Sequence, residues 1–226
     1  MVKIERKDTA LSRIAIDILE KERKKNGKFD KQEVNDALEE IFHGKCYICE
    51  NKKSVEYEID HFKPKKYADD LKFDWNNLFW SCSHCNNTKR DKFYPILDCT
   101  EVDIDDYIAF RKIGYFGVPE KFEFEIIKDS VATKNTCDLL NAVHYGTAAK
   151  KKIGSSIIRR ELRQELSNFK EYIREYQESK GENKKDLSVT IKLELKSNSA
   201  FTAFKRWIVR DNPKICADFI DCWKSR

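Results

Sequence analysis

The chain has 226 residues, 40% of them hydrophobic and 37% charged, enough apolar material for one large domain or for a small domain with a helical companion. No apolar run approaches the roughly 18 residues of a membrane span. The charged start (Lys3, Glu5, Arg6, Lys7, Asp8) lacks the apolar stretch of a secretion signal, so a cytoplasmic protein with no membrane partner is expected. The net charge of +5 is unevenly placed: from Ala148 onward there are 19 Lys and Arg against 11 Asp and Glu, whereas the first 147 residues have 25 against 28. A basic C-terminal third fits a polyanion, although charge alone is better read as a solvated helix surface.

The predicted elements begin with a helix from about Thr9 to Lys25, striped by Leu11, Ile14 and Ile18 and ended by Asn26-Gly27. Asp30 with Glu33 predicts the cap of a second helix, which carries Val34, Leu38, Ile41 and Phe42 at helical spacing and stops at Gly44. Val55 to Ile59 alternates as a short strand that delivers Asp60 and His61, and Phe62-Lys63-Pro64 breaks it. Trp75 to Cys82 is aromatic enough to pack beneath, and Cys85 to Lys89 opens a helix. Tyr107–Phe116 and Lys121–Ile127 predict two strands joined through Gly117 to Glu120, and Thr133–Val143 a helix. A long helix follows over Ala148–Ser179, with Ile153, Ile157, Leu162, Leu166, Phe169 and Ile173 on its apolar face. Gly181 to Lys185 predicts a linker. Phe201, Phe204, Trp207 and Ile208 mark a helix ending near Asp211-Asn212-Pro213, and Phe219 with Trp223 a short last one.

The chemistry lies between two cysteine pairs. Cys46 and Cys49, then Cys82 and Cys85, are each separated by two residues. That gap lets both sulfurs of a pair reach one ion at roughly 2.3 Å, so the four thiols predict a tetrahedral, structural Zn²⁺ with no open position. The 32 residues between the pairs exceed a plain zinc-ribbon loop and must hold structure of their own. Paired Cys-x-x-Cys units in a reducing compartment favour metal over disulfides, and the scattered Cys99, Cys137, Cys216 and Cys222 read as plain thiols.

With Glu58-Ile59-Asp60-His61 between the pairs and Asn77 and Asn86 completing the set, the segment from about Cys46 to Phe93 resembles the HNH endonuclease family. The resemblance implies a ββα-metal core in which His61 is the general base that activates water and Asp60 ligates a divalent cation. It implies that Asn77 orients the histidine or braces the loop, with Asn76 an adjacent candidate. The last letter of the motif falls at Asn86, an asparagine where the literal histidine would stand, and a carbonyl oxygen suits Mg²⁺ or Mn²⁺. The elementary chemistry agrees: phosphodiester hydrolysis needs a base near neutral pH and a cation against the developing charge. An extended strand would send Asp60 and His61 to opposite sides, and a bend at His61 would let one hold metal while the other faces water. His84, within the second pair, reads as solvent-facing or phosphate-contacting; Lys89 and Arg90 are candidate phosphate contacts; His43 and His144 read as structural, and Phe79 and Trp80 as core.

The run from Glu58 to Lys65, then Trp75 to Leu78, then Cys85 to Asp98 is similar to the HNH proteins of Septu anti-phage systems and of some retron systems. Those work beside an ABC-type ATPase, and this chain has no Gly-x-x-x-x-Gly-Lys loop of its own. The expected fold is α+β and predominantly helical: an N-terminal helical segment (1–44), a zinc-pinned ββα-metal HNH core (45–98), short strands and a helix (99–147), and a basic helical tail (148–226). The expected function is cleavage of DNA in anti-phage defence. The competing reading is a non-catalytic, zinc-stabilised adaptor, which Asp60-His61 with Asn86 disfavours because zinc binding needs none of them.

Overall fold

Thr9 opens the first helix in the computed structural model, which describes residues 1–114 and 118–223. Its hydroxyl accepts the Ser12 amide at 3.2 Å, while the Ser12 hydroxyl accepts the Thr9 amide at 2.9 Å, a reciprocal cap that starts α1, Ala10–Lys24. The second helix, α2 (Gln32–Ile41), starts differently from the prediction. Extended Lys31 is its N-cap and no side chain caps it, so Asp30 falls one residue outside the position from which a carboxylate reaches the first-turn amides. Ala15 and Leu19 of α1 and Val34, Leu38 and Ile41 of α2 are buried on facing sides. Gly44 ends this unit in a left-handed turn (φ +67°), its amide donating to the Glu39 carbonyl at 2.8 Å.

The ββα unit follows. Strands β1 (Tyr57–His61) and β2 (Leu78–Cys82) pair antiparallel, with Tyr57 opposite Cys82 and His61 opposite Leu78, and the chain runs directly into α3 (Ser83–Lys89). The strand begins at Tyr57 rather than Val55, whose side chain is 99% exposed. Pairing persists through His61, so the chain bends after that residue, at Phe62, and not at His61 as expected. Phe79 sits in a ring cluster with Tyr47, Phe62 and Phe42 at 4.9, 4.8 and 5.3 Å, while Trp80 stacks on Tyr57 at 5.2 Å. Each such pair adds about 0.5–1.5 kcal/mol beyond area burial, so Phe79 and Trp80 serve the core.

Strands β3 (Ile108–Ile113) and β4 (Lys121–Ile126) form a second hairpin with Ile108 opposite Ile126. The expected extension to Phe116 and the turn residue Gly117 lie outside the described residues. Helix α4 (Val131–His144) starts two residues before the prediction because the Ser130 hydroxyl accepts the Thr133 amide at 3.0 Å. Helix α5 (Ala149–Glu178) matches the expected long helix and buries Ile158, Leu162, Leu166, Phe169 and Ile173. Ile153 departs from that face and is 65% exposed. The expected linker at Gly181 to Lys185 is instead the first turn of α6 (Gly181–Glu194), Gly181 at φ +60° making the reversal out of α5. Its charge-rich start hides a helix that buries little beyond Ile191.

Helices α7 (Thr202–Arg210) and α8 (Pro213–Phe219) complete the described chain, with Pro213 serving both as the stop of one and the first turn of the next. The main core joins the N-terminal helices, the ββα unit, the second hairpin, α4, the first half of α5, and Phe201 with Phe204; a second cluster unites Phe169, Ile173 and Tyr176 with Ile191, Val209, Ile215 and Phe219. The architecture is α+β and mainly helical, with two small sheets.

Candidate functional site

The first cysteine pair is shaped by its own backbone. The Glu50 amide donates to the Cys46 carbonyl at 2.9 Å, Glu50 takes a left-handed φ of +61°, and the Tyr47 amide donates to the Trp80 carbonyl at 3.0 Å, which lays the turn beside β2. The second pair comes from the end of β2 and the first turn of α3. All four sulfurs are buried and lie within 4.8 Å of one another, with Cys49 and Cys82 at 3.9 Å. A tetrahedral ion about 2.3 Å from each sulfur sets the sulfur–sulfur edges at about 3.8 Å, so the donor set fits a structural Zn²⁺. Burial pushes the Cys49 and Cys85 thiols well above their ordinary range. Burial opposes ionisation of Cys46 too, but the thiols around it outweigh that and drive it well below. A bound Zn²⁺ would favour the thiolate form of its ligands. Ser81, fully buried, stands 3.6 Å from the Cys46 sulfur as an outer hydrogen-bonding partner. The remaining four cysteines are free thiols, as expected.

Alternation along β1 puts Glu58 and Asp60 on one face, and three-residue spacing puts Asn86 and Lys89 on one face of α3. The two faces meet in two rungs. Asn86 Nδ2 donates to Glu58 Oε2 at 2.5 Å, and Lys89 Nζ donates to Asp60 Oδ1 at 3.1 Å. Lys89 also donates to the His61 carbonyl at 2.8 Å, and Tyr47 donates its hydroxyl to Asp60 Oδ2 at 2.7 Å. Burial holds the Asp60 carboxyl above the usual range, against the pull of Lys89 and Tyr47. Lys89 is 1% exposed, so it braces the strand internally and is no surface phosphate contact. Glu58 and Asn86 are half-buried and open to one side. Among the described residues the Asn86 amide oxygen accepts no hydrogen bond.

His61 stands on the other face of β1. It is 8% exposed, its Nε2 lies 3.0 Å from the Lys72 carbonyl oxygen, and the Phe29 ring meets it edge-on at 4.7 Å. Since a carbonyl only accepts, Nε2 carries the proton and Nδ1 keeps the lone pair. Burial, assisted by Lys65, Lys89 and Lys72, lowers its pKa below the ordinary histidine value, so the ring is neutral near pH 7. Asn77 acts on the loop and not on the ring: its Oδ1 accepts the Lys63 amide at 2.7 Å, and its Nδ2 donates to the Lys63 and Leu71 carbonyls at 3.2 and 3.4 Å. The loop it closes is the one that presents the Lys72 carbonyl. Asn76 is exposed and bonded only locally, its amide donating to Asp74.

His84 is half-buried and tied into the fold rather than turned out to solvent. Its Nε2 lies 2.9 Å from the Val143 carbonyl oxygen, and its ring presses so closely on Gly154 that a Cβ there would come within 2.2 Å of Nδ1. The second cysteine pair is thereby fastened to α4 and α5. His144 is buried and His43 occupies a left-handed turn before Gly44, both structural roles. Sequence reasoning gave no role to Glu58, Tyr47 or the Lys72 carbonyl. Glu58 was within reach, because it stands two residues before Asp60 on a strand; a backbone carbonyl leaves no trace in sequence.

Residues 46–92 match the HNH endonuclease family model. Over 81 residues the chain is 36% identical to the Septu protein PtuB of Bacillus mycoides, covering 29% of this chain and 27% of that one. It is likewise 36% identical over 81 residues to the Septu protein PtuB of Bacillus thuringiensis, covering 33% of this chain and 32% of the relative. The matched region spans about a third or less of the length of either curated relative. The ββα unit pinned by four cysteines is therefore an HNH endonuclease family domain, carried at residues 46–92 of this chain.

Proposed function

We propose that the chain is a metal-dependent endonuclease that hydrolyses DNA phosphodiester bonds, with Zn²⁺ at Cys46, Cys49, Cys82 and Cys85 as a structural pin. The observation that carries this reading is the His61 anchor: Nε2 is committed to the Lys72 carbonyl, which leaves Nδ1 as a neutral base for water. Zinc binding alone needs neither Asp60 nor His61.

The donors for a divalent cation are the oxygens facing α3: Asp60 and Asn86, joined by Glu58. They are hard ligands suited to Mg²⁺ or Mn²⁺, and the Asp60 oxygens keep lone pairs beyond those used by Tyr47 and Lys89. Such a cation, when bound, offsets charge on the non-bridging and leaving oxygens of the phosphate. Asp60 and His61 leave β1 on opposite faces, which suits in-line displacement, where water activation and leaving-group stabilisation fall on opposite sides of phosphorus. Lys89 fixes the His61 backbone against α3, and Asn77 fixes the loop that holds its ring.

The similarity to HNH proteins of Septu anti-phage systems supports a cytoplasmic defence role beside an ABC-type ATPase. Phe201 and Phe204 are 1% and 3% exposed within the chain's own core, so they are no docking anchors. Docking would then use the charged exterior of the tail. Truncation after Thr147 would strip Leu162, Leu166, Phe201 and Phe204 from the main core, so partner binding is better tested by co-purifying the full chain with a genetically adjacent ATPase.

The direct test is supercoiled plasmid incubated with the protein and Mg²⁺ or Mn²⁺. Nicking or linearisation is expected, with none in EDTA and none from His61→Ala. Cleavage by His61→Ala at the wild-type rate would remove His61 as the base and the reading with it.

A further inference from the structure

Several basic residues of the C-terminal third are paired within the fold. Arg160 pairs with Glu161, Arg163 with Glu120, Arg174 with Glu171, Lys205 with Glu165 and Glu194, and Arg206 with Asp103 and Asp105. The first turn of α5 carries cations without such a partner. Lys150 and Lys151 there, and Arg90 at the end of α3, have no ion-pair partner among the described residues. These three cations line one groove of about 670 Å³ between α3 and the start of α5, together with Asn87 and Thr88, and no carboxylate lines it.

Three further features bear on what fills the groove. Thr88 is 1% exposed, yet its hydroxyl has no hydrogen-bond partner among the described residues. No side chain caps α5, so its positive end adds to the field of the lysines. The walls are fixed relative to each other, because the His84 ring of α3 lies against Gly154 of α5. The groove also starts one residue from Asn86, on the helix that carries it.

We propose that this α3–α5 groove is a track for the DNA backbone, with Arg90, Lys150 and Lys151 neutralising phosphates that flank the one at His61. The proposal rests on the nuclease reading for its occupant, and it extends the substrate site beyond residues 46–92 onto a helix that the family match does not reach. An unpaired cationic groove without carboxylates complements a polyphosphate, and the exposed, uncharged Asn87 supplies hydrogen bonds that read no sequence.

The test separates binding from cleavage. Fluorescence anisotropy would follow a labelled 25-base-pair duplex binding to the full-length His61→Ala protein, without added Mg²⁺ or Mn²⁺, across a salt series. The same protein carrying Arg90→Gln, Lys150→Gln and Lys151→Gln should bind at least about tenfold more weakly near 0.1 M salt. Its slope of log affinity against log salt should be shallower by roughly 2–3, since each neutralised phosphate contributes about 0.9. Arg90→Lys with Lys150→Arg and Lys151→Arg should keep the parent slope, and so should a control with Lys180, Lys185 and Lys192 changed to Gln. Unchanged zinc content and melting temperature exclude misfolding. A groove variant with the parent's affinity and slope, or a control that loses as much, overturns the proposal. If the wild type binds as described but cuts no plasmid with Mg²⁺ or Mn²⁺, the nuclease reading fails and the groove stands.

Discussion

His61 Nε2 and the Lys72 carbonyl oxygen stand 3.0 Å apart, and that contact fixes which ring nitrogen keeps its lone pair. The carbonyl is held in place by Asn77, five residues further along the chain, through three hydrogen bonds to Lys63 and Leu71. The middle asparagine of the motif thus reaches the histidine through backbone, at one remove from its ring.

Asn77→Ala should lower kcat by about 10–100-fold, a fraction of the 10²–10⁴ that a positioned base contributes, while zinc content stays stoichiometric. It leaves the Lys63 amide and two carbonyls without their partner, so the domain should also lose about 1–3 kcal/mol. His61→Ala should abolish cleavage and, because it leaves the Lys72 carbonyl without its donor, also cost about 1–3 kcal/mol. Steady-state kinetics beside urea unfolding checks both; equal kcat for Asn77→Ala and wild type would separate the loop from catalysis.

The two rungs between β1 and α3 make different predictions. Glu58→Gln and Asn86→Ala should raise the Mg²⁺ or Mn²⁺ concentration for half-maximal cleavage by about tenfold or more while leaving melting nearly unchanged, because both residues are half-buried. Asp60→Asn should raise the metal requirement and also destabilise by about 3–5 kcal/mol, since it strands the buried Lys89 ammonium without its carboxylate. Metal titrations paired with thermal melts separate the cases. A Glu58→Gln protein with the wild-type metal dependence removes Glu58 from the cation site.

Replacing any one of Cys46, Cys49, Cys82 or Cys85 by Ser should release bound Zn²⁺ and destabilise by several kcal/mol, because ligand closure and folding of this unit are one process. Zinc content by elemental analysis and circular-dichroism melting report it. Cys99→Ser and Cys137→Ser, also buried but outside the cluster, should retain the metal. Loss of zinc in either would mean that the four sulfurs are not the complete ligand set.

What the sequence disclosed follows its local grammar. The cysteine pairs, the strand carrying Asp60 and His61, and the helix opening at the second pair depend on spacing within a few residues, and each was legible. The cap at Asp30 failed because the choice between adjacent N-cap positions is made by backbone conformation at Lys31. Helix α6 was hidden because its first turn is charged and little of it is buried. His84 seemed to face solvent because its burial comes from Gly154, 70 residues away, and a glycine announces a close approach only after its neighbour is known. The Lys72 carbonyl and the pairing of Glu58 with Asn86 are tertiary facts with no one-dimensional counterpart.

His144 sets an acid limit on the fold. Its Nδ1 donates to the Leu140 carbonyl at 2.9 Å, its Nε2 has no partner among the described residues, and the rings of Phe122, Phe124 and Phe204 surround it at 6.4, 4.9 and 6.3 Å. Protonation would put a second N–H in an apolar cage without an acceptor, and burial accordingly lowers its pKa to about 4. In the unfolded chain the same ring titrates near 6.5. Between those values the unfolded state binds a proton that the folded state does not, so stability is present above about pH 6.5 and is lost as pH falls toward 4, by about 3 kcal/mol in all. Urea midpoints measured from pH 7.5 to 4.5 should fall for the wild type and stay flatter over that window for His144→Phe, which fills the cage without titrating. Parallel losses in the two proteins would assign the acid sensitivity to other groups.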